Sequence, residues 1–189
     1  MSSSQNMKEA FTQAYMNTNR DILSNSSFKQ QGSTAVSVLL SQRGNSRTLD
    51  VANAGDANAV LCRGKEAIML SVEHKATNES EASRIQKLGG WVVNGKVAGV
   101  LAVTRAFGDS ELKNFVTVEP HYQSVNLGPQ DSYLILACDG VWDVMTPQDA
   151  ADFLFQNKDK SSLELSSMLV QEALKKGSKD NISVMIVVL

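Results

Sequence analysis

Four aspartates stand where apolar runs begin or end. Asp56 follows Val51-Ala52-Asn53-Ala54-Gly55, Asp109 follows Phe107-Gly108, Asp139 follows Leu134-Ile135-Leu136-Ala137-Cys138, and Asp180 precedes Asn181-Ile182-Ser183-Val184. An isolated Asp beside glycine is usually a turn former, because Asp is poor inside strands and good in turns. For Asp56 or Asp109 alone, that plain explanation is the commoner one. Asp139 and Asp180 carry more. One ends a strand-like run and the other begins one, so if those strands pair antiparallel, both carboxylates fall at one end of one sheet. Asp143 lies four residues past Asp139 and joins the group if the chain turns helically through Gly140-Val141-Trp142. Carboxylates held together repel unless a proton or a cation intervenes. Oxygen ligands without a paired His or Cys favour Mg²⁺ or Mn²⁺ over zinc. The residues alone reach a hard-metal site, not a reaction.

The remaining metal-capable side chains fit a metal site less well. Cys62 and Cys138 sit within apolar runs without ligand spacing and read as small buried residues, not as a disulfide or a metal pair. His74, in Glu73-His74-Lys75, and His121, after Pro120, have no partner at ligand spacing either.

Elements able to position the aspartates follow from periodicity. Residues 5–24 read as a helix with Met7, Phe11, Ala14, Tyr15 and Ile22 near one face. Strands are expected at about 33–41, 48–54, 58–62 and 67–70, as a four-stranded antiparallel meander. Asn78 begins a helix with Glu81 as capping-box partner and Ala82, Ile85 and Leu88 as apolar stripe, and Gly89-Gly90 stops it. Asn94-Gly95 is a hairpin signal. Strand character spans 116–127, and 133–138 reads as a strand buried on both faces. Two helices follow, announced by Thr146-Pro147-Gln148-Asp149 and by Ser161 with Glu164, before a last strand at 182–189. Grouped strands and helices without strict alternation indicate an α+β layered fold.

The 189 residues are 42% hydrophobic and 20% charged, with a formal net charge of −2. Nothing in that balance calls for nucleic acid or an anionic membrane as partner. The opening Met1-Ser2-Ser3-Ser4-Gln5 lacks a signal-like start, and no apolar run has the length of a membrane span. A reducing setting, cytoplasmic or nuclear, is expected.

Six segments in order carry a family resemblance. They are Gly32-Ser33-Thr34-Ala35-Val36, Val51-Ala52-Asn53-Ala54-Gly55-Asp56, Glu81-x-x-Arg84-Ile85 with Gly89-Gly90, Leu101 to Asp109, Leu136 to Asp143, and Gly177-Ser178-Lys179-Asp180-Asn181-Ile182. Together they resemble the type 2C, metal-dependent protein serine/threonine phosphatases. The resemblance implies a β-sandwich flanked by helices, with a binuclear Mg²⁺/Mn²⁺ centre at one edge. It implies that phosphoserine and phosphothreonine in phosphoproteins are hydrolysed by direct attack of a metal-activated water, in a signalling role. By motif position, Asp139 and Asp180 are implied core metal ligands, and Asp56 and Asp143 serve a weaker third metal. Asp109 is a supporting or turn residue, His74 is structural, and 75–98 is a flap beside the cleft.

The family's Asp-Gly-His-Gly-Gly motif does not occur in these residues. The expectation is therefore one type 2C domain over 1–189, incomplete at its N-terminus and impaired alone. Self-association, or completion by a missing N-terminal segment, is expected with it. The alternative is an inactive pseudophosphatase acting as a binding or regulatory module.

Overall fold

The structure is a computed structural model and describes residues 3–189; Met1 and Ser2 of the expected 1–189 unit lie outside the described residues. In chain order the elements are α1 (Ser3–Ser24), β1 (Gly32–Ser33), β2 (Ala35–Arg43), β3 (Ser46–Ala54), β4 (Asn58–Arg63), β5 (Glu66–Met69), α2 (Glu79–Lys87), β6 (Val92–Val93) and β7 (Lys96–Val97). Then come β8 (Phe107–Gly108), β9 (His121–Leu127), β10 (Asp131–Ala137), α3 (Asp139–Trp142), α4 (Pro147–Gln156), α5 (Ser162–Lys175) and β11 (Val184–Val188).

Two antiparallel sheets, ordered β2-β3-β9 and β11-β10-β4-β5, pack face to face. Alternation along each strand sorts the side chains into layers. Leu49 and Val51 of β3, Ala59 and Leu61 of β4 and Leu134 of β10 fill the space between the sheets. The opposite faces of β4 and β10, with Val60, Cys62, Tyr133, Ile135 and Ala137, pack against Ala150, Ala151 and Leu154 of α4 and Leu165, Leu169 and Ala173 of α5. On the far side, Tyr15, Phe11 and Ile22 of α1 cover Ala52 and Ala54 of β3. The result is a helix–sheet–sheet–helix stack, the layered α+β sandwich expected.

The expected four-stranded meander is not formed. β3 and β4 are consecutive yet belong to different sheets, so Gly55-Asp56-Ala57 is a crossing between layers instead of a hairpin turn. Their burial explains it: β3 is buried from Leu49 to Ala54, and β4 from Asn58 to Cys62, on both faces. Such strands need neighbours and cover on both sides, which a surface meander cannot give. The strand expected over 116–127 begins only at His121. Ala14 of α1 is exposed, and the buried polar residue of that face is Asn19, whose Oδ1 accepts the Gly108 amide at 2.9 Å.

Local signals hold where the chemistry is short-range. Thr146 with Asp149 and Ser161 with Glu164 form reciprocal capping boxes on α4 and α5. Asn94 and Gly95 both take positive φ, 52° and 71°, as a tight β6–β7 hairpin turn requires. In α2, Asn78 caps the Ser80 amide, but Glu81 does not complete a box: it points inward and is buried. Leu88, expected in the apolar stripe, is exposed, and Ile85 alone supplies the core contact together with Val97, Val103, Ala106 and Val116. Of the cysteines, both free, Cys62 is buried, whereas Cys138 is only half-buried, just past the end of β10 at the sheet's rim. No helix among the described residues is long and apolar enough to cross a membrane.

Candidate metal centre

β10 and β11 pair antiparallel with Ala137 opposite Val184, so the loop after β10 and the loop before β11 leave the same end of the sheet. Short contacts then bind the two loops. Cys138 Sγ donates to the Asn181 carbonyl at 3.3 Å and accepts the Ser183 amide at 3.2 Å. Ser178 Oγ donates to the Gly140 carbonyl at 2.6 Å. Gly140 is needed for this closeness, since a Cβ there would run into the Asn181 carbonyl oxygen. Asp139 and Asp180 are thereby carried on one clamped rim. Asp143 follows the short helix α3, the helical turn on which its place near Asp139 depended, its amide bonded to the Asp139 carbonyl at 2.8 Å. Asp143, Gly140 and Asp180 line a common cleft with Ser178 and Lys179.

Asp56 reaches the same end from the layer crossing. Gly55 has φ 103° and lies directly over the Thr34 side chain, a position closed to any other residue. His74 braces it: Nδ1 lies 3.2 Å from the Gly55 amide nitrogen and 3.1 Å from its carbonyl oxygen. Burial, and then the Arg105 cation, push the His74 imidazole down to about 4, so it is neutral at physiological pH and acts as a brace. Asp56 is buried, and its carboxyl is pushed up to about 6, first by burial and next by the negative charge of Asp139. These two carboxylates feel each other. Lys75 partly offsets the effect.

Lys75 was not singled out from the sequence. Its Nζ donates to Asp143 Oδ1 at 2.9 Å and lies 3.9 Å from Glu73 Oε1. Burial lowers its pKa, but the Asp143 hydrogen bond and the Glu73 charge outweigh that and raise it. Also missed was the role of Glu81, which accepts from Thr104 Oγ1 at 2.7 Å, Arg84 at 3.0 Å and Arg105 at 2.6 Å. Burial would raise its carboxyl; the bonds from Arg105, Thr104 and Arg84 instead bring it down to about 2. Asp109 stands apart from this rim: it takes φ 50° at the start of a single turn, and its carboxylate covers Gly32. His121 opens β9, its imidazole lowered by burial and by Arg105 and Lys8.

Among the described residues, no three His, Cys, Asp or Glu side chains converge as a metal-holding group. The donor chemistry at this end still fits a hard divalent cation. It is all oxygen, it holds the mutually repelling Asp56 and Asp139, and one protein cation, Lys75, already stands among its carboxylates.

The family model for "Protein phosphatase 2C" matches residues 1–182. "Probable protein phosphatase 2C 45" of Oryza sativa subsp. japonica is 42% identical over 185 residues, 95% of this chain and 63% of the relative's length. "Protein phosphatase 2C homolog 1" of Schizosaccharomyces pombe is 44% identical over 142 residues, covering 75% of the chain and 40% of that protein. This chain thus spans less than two thirds of either relative. Among solved structures, a serine-threonine phosphatase 2C from Toxoplasma gondii superposes with a TM-score of 0.82 at 25% identity, over 98% of this chain and 68% of that one. A C. elegans sex determining protein gives a TM-score of 0.72 at 29% identity, over 82% of this chain and 40% of the other. From the sheet pairing through the clamped aspartate loops to these matches, the observations agree: the chain belongs to the protein phosphatase 2C family.

Proposed function

We propose that this chain supplies the greater part of a type 2C catalytic domain that hydrolyses phosphoserine and phosphothreonine in phosphoproteins with Mg²⁺ or Mn²⁺. The observation that carries the reading is the delivery of Asp139 and Asp180 to one rim by adjacent antiparallel strands and their cross-bonded loops. In this reading Asp139 and Asp180 hold the principal metals, and Asp56 and Asp143 serve a weaker outer ion. When bound, the metals would neutralise phosphate charge and make water a better nucleophile at neutral pH. The chain's own residues keep the carboxylates in place: His74 braces the Asp56 loop, and Cys138 and Ser178 tie the other two loops. Both cysteines are free thiols, which suits a reducing cytoplasmic or nuclear setting.

The reading includes a contribution from an Asp-Gly-His-Gly-Gly-bearing segment outside these residues. It is supported by Leu40 on β2 and Met185 on β11, each on the strand face directed between the sheets, yet 46% and 58% exposed. β2 and β11 are also open edges of their sheets. The test is phosphate release from a phosphothreonine peptide with Mn²⁺, by the chain alone and joined behind such a segment from a relative. The chain alone is expected near background and the joined form Mn²⁺-dependent and active. Inactivity of the well-folded joined form, with retained binding of the phosphopeptide, would favour the pseudophosphatase alternative.

Residues 75–98 are proposed as a flap. They share a small apolar cluster around Ile85 and Val97, separate from the cores on either side of β10. Elements with few core contacts open independently. Amide exchange is therefore expected to be faster over 78–98 than over 133–137 and 184–188. Equal protection would make the segment part of the core.

A further inference from the structure

The carboxylates at this end already have a cation of the protein's own. Lys75 Nζ bonds Asp143 at 2.9 Å, lies 3.9 Å from Glu73, and its charge acts on Asp56. The base of this side chain is fixed. Lys75 bridges Val103, its carbonyl accepts the Asn78 amide at 3.0 Å, and Ala76 donates to the Ala102 carbonyl at 2.8 Å. Only the four-carbon stem is free to swing. The side chain is 26% exposed and its partner Asp143 58%, so the ammonium has a path to water.

We infer that Lys75 is a tethered counter-cation, and that a divalent ion approaching Asp143 and Asp56 must displace it. The inference rests on the metal reading above and adds a competitor to it. An ammonium and a divalent ion draw on the same carboxylate oxygens. The ammonium is tethered, so it competes at a high effective concentration and without a cost of association. Mg²⁺ and Mn²⁺ carry twice the charge but give up bound water to bind. Without metal, Lys75 balances the charge of Asp143 and offsets part of the negative charge around Asp56. With metal, its ammonium must leave Asp143.

The experiment titrates the 189-residue chain with Mn²⁺ alone and follows free Mn²⁺ by its electron paramagnetic resonance signal. Lys75→Met removes the charge and keeps the stem, and Lys75→Gln removes it while keeping a donor for Asp143. Both are expected to bind Mn²⁺ on the order of fivefold more tightly than the parent, the size set by a partly exposed ion pair. Lys75→Arg is expected to match the parent, and Asp143→Asn added to Lys75→Met to remove the gain. Either neutral variant, if folded by circular dichroism, decides the matter. If the neutral variants bind no more tightly while Asp139→Asn still weakens the parent, the competition is overturned and the metal reading stands. If parent and variants alike ignore millimolar Mn²⁺, both fall.

Discussion

Replacing Asp139 by Asn in the completed, active form is expected to lower Mn²⁺-dependent phosphate release by about a thousandfold or more. The substitution conserves size and removes one negative oxygen from the residue that begins α3 and whose charge already acts on Asp56. Where positioned metals supply most of the stabilisation of a transferring phosphoryl group, loss of a principal ligand costs orders of magnitude rather than a fraction. Asp180→Asn is expected to come close to that loss. Asp143→Asn should cost much less, about tenfold, because Asp143 is exposed and its partner in the resting state is a lysine instead of a buried group. Unfolding midpoints of all three should stay near the parent's, since each side chain lies at the rim and none fills the core. An Asp139→Asn enzyme within tenfold of the parent, with metal dependence intact, would remove this residue from the reaction.

The sequence made the rim legible because the rim is built from short-range rules. A buried apolar run ending in Asp139-Gly140, a helical spacing to Asp143 and a final strand announced by Asp180-Asn181 need no distant information, and the capping boxes at Thr146 and Ser161 are equally local. What escaped is long-range. Gly55-Asp56-Ala57 looks like a hairpin turn until β9 and β10 are known to take the places beside β3 and β4. Glu81 fits a capping box by spacing, and the guanidinium that turns it inward comes from Arg105, 24 residues away. Lys75 and Asp143 are 68 residues apart, with no pattern joining them. Charged pairs leave no periodic trace comparable to an apolar face, so the fold was easier to read than the electrostatics that hold its rim.

Glu81→Ala is expected to destabilise the chain by about 3–5 kcal/mol, the cost of removing one partner from a buried ion pair. Glu81 is 5% exposed and serves Thr104, Arg84 and Arg105 at once, so its loss leaves two guanidinium groups short of an acceptor, while the Thr104 hydroxyl keeps the His74 carbonyl. Arg84 keeps only the carbonyls of Phe115 and Thr104, and Arg105 that of Glu119. The pH dependence carries the signature. The Glu81 carboxyl lies at about 2 in the folded chain against an ordinary 4.5, so the folded state favours the charged form. Its contribution is then fully present above the ordinary value and disappears as pH falls toward 2. Urea unfolding of parent and variant should therefore differ by the full amount at pH 7 and converge between pH 4.5 and 2. The damage should also travel. Thr104 Oγ1 bonds the His74 carbonyl at 3.0 Å, and His74 braces the Gly55-Asp56 crossing, so amide exchange should rise at Gly55 and His74 as well as along α2. A loss below 1 kcal/mol that is the same at pH 7 and pH 3 would mean that Arg84 and Arg105 find water or other acceptors, and that Glu81 does not anchor this segment to the sandwich.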